Sequence, residues 1–273
     1  MTKHLSRIFT ILVFFVLYAP LLVMVLFSFN AGKSTSVFSG FSLYWYKELF
    51  SSSDTMTALQ NTLVLAVASA VIATLLGTLA AVGIYYLRNR AVRSSVMLVT
   101  NIPMMNPDIV TGVSLMLLFV FVGRLLGSSN SLSFWTLLIA HVTFNLPYVI
   151  LNVMPKLKQM DPSLKDAALD LGCTPLQAFC KVTLPEIMPG VASGAIMAFT
   201  MSLDDFVISY FVSGTGFVTL PVQIYTYVKK PLQPKVYAMF TLLFLLILVL
   251  MIVMNLLQAR GMKKRSAAHA ASN

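Results

Sequence analysis

Residues 161–185, DPSLKDAALDLGCTPLQAFCKVTLP, form one long polar segment in the second half of an otherwise apolar chain. Asp161 is a favourable N-cap, and the proline after it fits the first helical position, where its missing N–H leaves no bond unmade. Gly172 stands where a helix ends and can adopt positive φ. Thr174 begins a capping-box pattern that starts a second helix, and we expect Pro185 to end it. This polar segment therefore predicts two short capped helices, which suit a docking element or an ordinary connecting loop equally well.

The first of these helices carries an apolar stripe. Leu164, Ala167, Ala168 and Leu171 follow one another at helical spacing, so their side chains share one face. Such small apolar side chains are suited to contact with another protein.

The composition is that of an integral membrane protein. Hydrophobic residues make up 58% of the 273 residues, and charged residues make up only 10%, against about 25% in soluble domains. In a membrane chain, the net charge of +10 fits cytoplasmic loops beside anionic lipid. We therefore expect a lipid bilayer and no nucleic acid as partners.

Six segments are long enough to cross a bilayer, which takes about 20 apolar residues. The third is interrupted at NIPMMNPDIV, so its helix is expected to break there. The sequence thus predicts an all-α membrane protein with six transmembrane helices, at residues 8–29, 61–87, 96–122, 134–154, 188–212 and 236–257.

The basic residues predict the orientation of these helices. Six spans place both termini on one side, and the loops on that side hold most of the Lys and Arg residues, including Arg88, Arg90 and Arg93. The positive-inside bias then places both termini and the polar segment in the cytoplasm. Three parts are expected: a first helix with an extracytoplasmic segment (1–56), a core of five helices with a loop at 155–187 (57–257), and a basic cytoplasmic tail (258–273).

The spacing within the polar segment resembles the EAA loop of bacterial ATP-binding-cassette importer permeases. That family has Glu-Ala-Ala, three residues, Gly, nine residues and Ile-x-Leu-Pro. This chain has Asp166-Ala167-Ala168, then Gly172, then Val182-Thr183-Leu184-Pro185. Asp and Val replace the family's Glu and Ile, which keeps charge and shape. The resemblance implies the type I importer permease fold over about Thr57–Leu257.

In that family the loop carries a coupling helix that enters a groove of a cytoplasmic ATPase. The resemblance therefore implies that coupling residues are Leu164, Asp166, Ala167, Ala168, Leu171, Gly172, Val182, Leu184 and Pro185. The chain has no G-x-x-x-x-G-K-[ST] loop and no catalytic or metal-ligand spacing. We expect a non-enzymatic subunit without a cofactor or metal, with ATP and Mg on the partner ATPase.

Three acidic residues fall within predicted spans: Asp108, Asp204 and Asp205. A carboxylate at bilayer depth is costly and usually faces a bundle interior or a water-filled path, which favours a cationic substrate here. Asp108 follows Asn-Pro, so it suits the cap of a restarted helix equally well. On a continuous helix the adjacent Asp204 and Asp205 diverge by about 100°. One of them then lines the path, while the other pairs internally or lies nearer the outer interface.

Aromatic residues occupy the fourth and fifth predicted spans. Phe144, Tyr148, Phe206 and Tyr210 suit cation–π contacts with ammonium groups, although packing explains most aromatics in spans. His141 is interpreted as a lone polar group with a structural role.

Further stretches resemble the permease subunits of spermidine/putrescine importers: residues 104–119, 141–150, 202–214 and 219–225. The resemblance implies a bacterial cytoplasmic-membrane complex with a sister permease subunit in a heterodimer, two copies of the ATPase and an extracytoplasmic polyamine-binding protein. Two alternatives stay open: an importer of the same class for another small solute, or an ion-coupled secondary transporter that uses Asp108 or Asp204. A membrane scaffold without transport leaves the buried acids unexplained.

Overall fold

A computed structural model describes residues 2–34, 37–127, 131–214, 216–229 and 234–271, with side chains described between residues 5 and 256. This part of the chain is helical and contains no β-strand. Its helices are α1 (Thr2–Ser28), α2 (Tyr44–Ser51), α3 (Ser53–Tyr86), α4 (Arg90–Met105), α5 (Asp108–Leu125), α6 (Phe134–Gln159), α7 (Ser163–Asp170), α8 (Pro175–Ala178), α9 (Leu184–Asp204), α10 (Val207–Val212), α11 (Leu220–Val228) and α12 (Pro234–Ala271). A π-helical turn, Phe179–Thr183, joins α8 to α9.

Six helical segments of the described residues are long and apolar enough to cross a membrane, which confirms the six predicted spans. They are Leu5–Ser28, Ser53–Tyr86, Asp108–Leu125, Phe134–Gln159, Pro175–Asp204 and Pro234–Leu256. The third and the fifth spans depart most from the predicted bounds, while the second begins at Ser53 instead of residue 61 and the fourth ends at Gln159 instead of residue 154.

The third span is shorter than predicted at its start. Asn106 is extended (φ −80°, ψ 142°), because the ring of Pro107 disfavours helical backbone in the residue before it. The helix therefore breaks after Met105, and α4 is a separate helix of 16 residues. The predicted span over 96–122 was wrong at this end, since the span begins at Asp108.

The fifth span begins before the predicted residue 188 and ends before residue 212. Pro185 does not end a helix, which corrects the expectation from sequence. In the π-helical turn, Leu184 N–H donates to the carbonyl of Phe179, five residues back. The shifted hydrogen bonding puts Pro185 in the first positions of α9, where a missing N–H is tolerated. The helix then runs on to Asp204.

Helix α6 is the core of one compact unit, Asn61–Thr219 with Leu250–Asn273. Two thirds (67%) of its most apolar 18-residue stretch is buried. A Cβ on Gly77 of α3 would lie 2.7 Å from Val149 Cβ, and one on Gly194 of α9 would lie 3.2 Å from Val149 Cα. Glycine at both positions therefore allows α3 and α9 to approach α6 closely.

The second unit comprises Met1–Gln60 and Leu220–Val249. Trp45 and Leu49 of α2 are buried in a small core with residues of α11 and α12. The Trp45 indole N–H donates to the carbonyl of Asn30 (2.8 Å), and Lys235 Nζ lies 3.0 Å from Glu48 Oε1. The shared core and the ion pair hold α2 against the start of α12, and the indole bond holds α2 to the residues after α1.

Candidate functional site

The Asp161 side chain bonds to the start of α7, although Pro162, and not Asp161 as predicted, is the N-cap residue. Asp161 Oδ1 accepts a hydrogen bond from the N–H of Ser163 (3.0 Å), the first residue of α7. This bond favours the ionised carboxyl and lowers the pKa of Asp161. The helix starts one residue later than predicted, and Pro162 precedes it.

The hinge of the polar segment is a Schellman turn. Gly172 has φ +85°, and its N–H donates to the Leu169 carbonyl (2.9 Å) while Cys173 N–H donates to the Ala168 carbonyl (3.0 Å). Thr174 and the residue three positions later then form the predicted capping box. Both helix ends at the hinge are thus closed by local bonds, which confirms the predicted pair of capped helices.

The residues of the apolar stripe of α7 differ in their exposure. Ala168 is buried, whereas Asp166 and Ala167 are exposed. Leu164 is 44% exposed and Leu171 is 86% exposed. A third apolar side chain that sequence reasoning missed, Leu176 at 72%, is exposed on the second helix. The remaining coupling candidates, Val182, Leu184 and Pro185, are half-buried.

A backbone break separates the two adjacent acids of the fifth span. Helix α9 ends at Asp204, and Asp205 is extended (φ −63°, ψ 123°), so the assumed continuous helix through both residues was wrong. The Asp205 carboxylate accepts hydrogen bonds from the N–H groups of Ile208 (3.3 Å) and Ser209 (2.8 Å). Irregular backbone inside a membrane needs such internal partners, because lipid offers none.

The interpretation of His141 as a lone polar group was wrong. His141 Nε2 lies 3.5 Å from Asp205 Oδ2 and 3.2 Å from Ser209 Oγ. The imidazole is fully buried, and 8% of the Asp205 side chain is exposed. Helices α6 and α10 are therefore tied together by a polar contact beside the backbone break.

A second buried polar cluster lies one turn further along α6. Asn145 Nδ2 donates to Ser202 Oγ (2.7 Å), and Ser202 Oγ lies 2.7 Å from Ser69 Oγ of α3. All three side chains are buried. Sequence reasoning missed them, although the spacing of four residues between His141 and Asn145 places both on one face of α6.

The two other acids are accessible. Asp108 lies in the first turn of α5, and both Asp108 and Asp204 are exposed. A Cβ on Gly112, one turn after Asp108, would lie 3.5 Å from the carbonyl oxygen of Val207. The start of α5, which carries Asp108, therefore packs against the start of α10. Asp204 lies three residues before the first residue of α10.

The aromatic candidates form two pairs. Phe144 is buried, and its ring centroid lies 5.5 Å from that of the half-buried Tyr148. The centroids of Phe206 and Tyr210 are also 5.5 Å apart, and Tyr210 is 44% exposed. Tyr210 is thus the aromatic candidate with the most accessible ring.

The described residues contain no group of three or more His, Cys, Asp or Glu side chains arranged to hold a metal ion.

Comparisons with known proteins place the chain among transport components. Residues 73–264 match the family described as "Binding-protein-dependent transport system inner membrane component". The chain is 40% identical over 250 residues to the putrescine transport system permease protein PotI of Escherichia coli K12, covering 91% of this chain and 89% of that protein. It is 38% identical to the spermidine/putrescine transport system permease protein PotC of Haemophilus influenzae, over 94% of this chain and 97% of that protein.

Solved structures of ABC transporters share the fold. A bacterial ABC transporter involved in import of the acidic polysaccharide alginate aligns with TM-score 0.76 and 14% identity, covering 94% of this chain and 95% of that one. The MetNI methionine ABC transporter, in an inward-facing conformation, aligns with TM-score 0.63 and 20% identity over 77% of this chain and 99% of that one.

Proposed function

The chain belongs to the binding-protein-dependent transport system inner membrane components, and on this premise we propose that it is the polyamine permease subunit of an ATP-driven importer. It is a multi-pass bacterial inner-membrane protein. The observation that carries the substrate proposal is the similarity, over about nine tenths of the chain, to permeases named for putrescine and spermidine transport. Spermidine and putrescine are linear polycations, so a path for them requires anionic side chains.

The accessible carboxylates of Asp108 and Asp204 support this substrate class. Both side chains are exposed on neighbouring elements of one unit, whereas the carboxylate of Asp205 is occupied by backbone N–H groups and His141. We propose that Asp108 and Asp204 line the path, with Tyr210 as a cation–π partner for ammonium groups. Asp205 instead holds the break in the fifth span.

The polar segment is proposed as the contact with the ATPase. Leu164, Leu171 and Leu176 are apolar and exposed, and Asp166 is exposed as well, which fits insertion into a groove of another protein. The proposed complex contains a sister permease, two ATPase subunits and an extracytoplasmic polyamine-binding protein. ATP and Mg bind the ATPase, and this chain holds no cofactor. Both termini and the polar segment then face the cytoplasm.

Reconstitution tests this function. The chain is purified with its sister permease and ATPase, placed in liposomes, and supplied with the binding protein and ATP. Uptake of labelled spermidine or putrescine is expected only when all components are present. Uptake without ATP, or by the chain alone under an ion gradient, would establish the secondary-transporter alternative. ATP-dependent uptake of an amino acid, with none of polyamine, would assign another substrate.

A further inference from the structure

A cationic pocket lies outside the site described above. It has a volume of about 380 Å³ and is lined by Arg90, Arg93, Ser94, Met97 and Lys158. The first four residues lie in the first two turns of α4, and Lys158 lies in the last turn of α6. Two separate helices thus direct three cationic side chains to one cavity.

No acidic side chain of the described residues forms an ion pair with the cations of this pocket. None of its lining residues is acidic. Arg93 is half-buried, with its guanidinium carbon 5.8 Å from the ring centroid of Tyr85. Three like charges brought together repel one another unless an anion binds between them. The pocket is therefore suited to an anionic group.

The surroundings of the pocket indicate that this anion belongs to an amphiphile. Beyond the basic first turns, α4 exposes large apolar side chains, including Leu98 (65%) and Val99 (62%), and no residue of α4 is buried. Tyr86, at the end of α3, is 42% exposed, and Lys165 Nζ lies 4.0 Å from its ring centroid. Tyrosine and lysine together are typical of the boundary between lipid and water.

We propose that this pocket binds the phosphate of an anionic phospholipid, with the acyl chains along the exposed apolar face of α4. Arg90 and Arg93 donate to the phosphate oxygens, for which the guanidinium fork is suited. Lys158 adds a third charge and the Ser94 hydroxyl donates a hydrogen bond. The bound lipid bridges the start of α4 and the end of α6, directly before the polar segment. This site is independent of the substrate that the importer carries.

Lipid binding to the purified complex tests the proposal. Dioleoylphosphatidylglycerol is titrated into the detergent-solubilised complex and counted by native mass spectrometry, with dioleoylphosphatidylcholine as the neutral lipid. We expect one tight phosphatidylglycerol per copy of this chain. The triple variant Arg90→Gln/Arg93→Gln/Lys158→Gln should bind it about a hundredfold more weakly, since each basic residue contributes about 1 kcal/mol toward anionic lipid.

The control removes equal charge elsewhere. Arg7→Gln/Arg88→Gln/Lys181→Gln changes three exposed basic residues outside the pocket and should leave the tight phosphatidylglycerol in place. Ser94→Asp keeps the three cations and places a carboxylate at an exposed position of the pocket. It should also weaken binding, and it covers the case in which the triple variant does not fold.

Three results would overturn the proposal. The first is unchanged lipid binding in Ser94→Asp and in a folded triple variant. The second is displacement of the lipid by millimolar inorganic phosphate, which would assign the pocket to a soluble anion. The third is lipid binding that occurs only after the ATPase is removed, which would show that an acidic protein segment occupies the pocket.

Discussion

Asp204 and Asp205 are neighbours in sequence with different environments. Asp205 is extended, and its carboxylate accepts two backbone hydrogen bonds at the start of α10 while facing His141. Asp204 ends α9 and remains exposed. The backbone break between them thus separates a carboxylate with internal partners from an exposed one, which we propose faces the substrate path.

Truncating Asp204 or Asp205 to alanine should destabilise the protein to different extents. Asp205→Ala leaves the N–H groups of Ile208 and Ser209 without their acceptor, so the free energy of unfolding should fall by about 2 kcal/mol. Asp205→Asn keeps an acceptor oxygen and should cost less. Asp204→Ala serves as the matched control and should stay within about 0.5 kcal/mol. Denaturation in mixed micelles measures all three, and equal losses for Asp204→Ala and Asp205→Ala would contradict this assignment.

In transport assays, we expect substitution of Asp204 to have the larger effect. Asp204→Asn removes a charge from the proposed path, and a loss of about 1.4 kcal/mol of attraction lowers spermidine uptake about tenfold. The measurement is initial uptake into proteoliposomes at subsaturating spermidine, with thermal stability recorded in parallel. Normal uptake by Asp204→Asn, in a complex of normal stability, would remove this residue from the path.

In the polar segment, local backbone hydrogen bonds determine where each helix ends and how the segment continues into the membrane span. Its hinge is closed by the Schellman bonds at Gly172, and its second half passes through the π-helical turn into α9. There is no break between that turn and the membrane span. A force on the exposed Leu176 of α8 is therefore transmitted along continuous helix as far as Asp204, whereas Leu164 and Leu171 lie on the other side of the Gly172 hinge.

Gly172→Pro should uncouple this element without unfolding the spans. Proline cannot adopt φ +85° and lacks the N–H that bonds to Leu169. We expect loss of ATP-dependent uptake and weaker co-purification of the ATPase, with unchanged helical content by circular dichroism.

Gly127→Pro is the matched control. Gly127 also has positive φ (+70°) and open space where a Cβ would lie, and its N–H bonds to a carbonyl three residues back. It lies in the turn after α5, away from the polar segment in sequence. If Gly127→Pro abolished ATPase co-purification equally, the coupling role of the Gly172 hinge would be wrong.

At the scale of the whole molecule, burial is uneven among the spans. Two thirds of the most apolar stretch of α6 is buried, compared with 11% for that of α5 and none for that of α1. Lipid can cover apolar side chains, but exposed carboxylates such as those of Asp108 and Asp204 are costly against it. The chain therefore suits an assembly in which another subunit, which we propose is a sister permease, covers these acids.

The cost of exposing these carboxylates to lipid should be measurable when the chain is expressed without its partners. The chain alone should be degraded faster in the membrane than when it is co-expressed with the sister permease. The double variant Asp108→Leu/Asp204→Leu removes both carboxylates, so it should lengthen the half-life of the lone chain while abolishing polyamine uptake by the complex. Pulse-chase labelling measures the half-life, and a lone wild-type chain as stable as the co-expressed one would contradict the argument.

The six spans, the capped helices of the polar segment and the turn at Gly172 followed from the sequence alone. Each depends on local chemistry: the length of an apolar run, a side chain that bonds to N–H groups of the next turn, or a glycine that tolerates positive φ. The break at Asn106 was also readable, because a proline restricts the residue before it. The spacing that resembles the coupling loop is likewise local.

Only the tertiary structure decided which aspartate is structural. The Asp205 carboxylate faces a histidine 64 residues earlier in the chain, and no local pattern encodes that contact. The same holds for the bonds among Ser69, Asn145 and Ser202, and for the pocket that brings Lys158 to Arg90 and Arg93. Contacts between distant segments depend on how helices pack, so the polar partners inside the membrane became identifiable only once the fold was known.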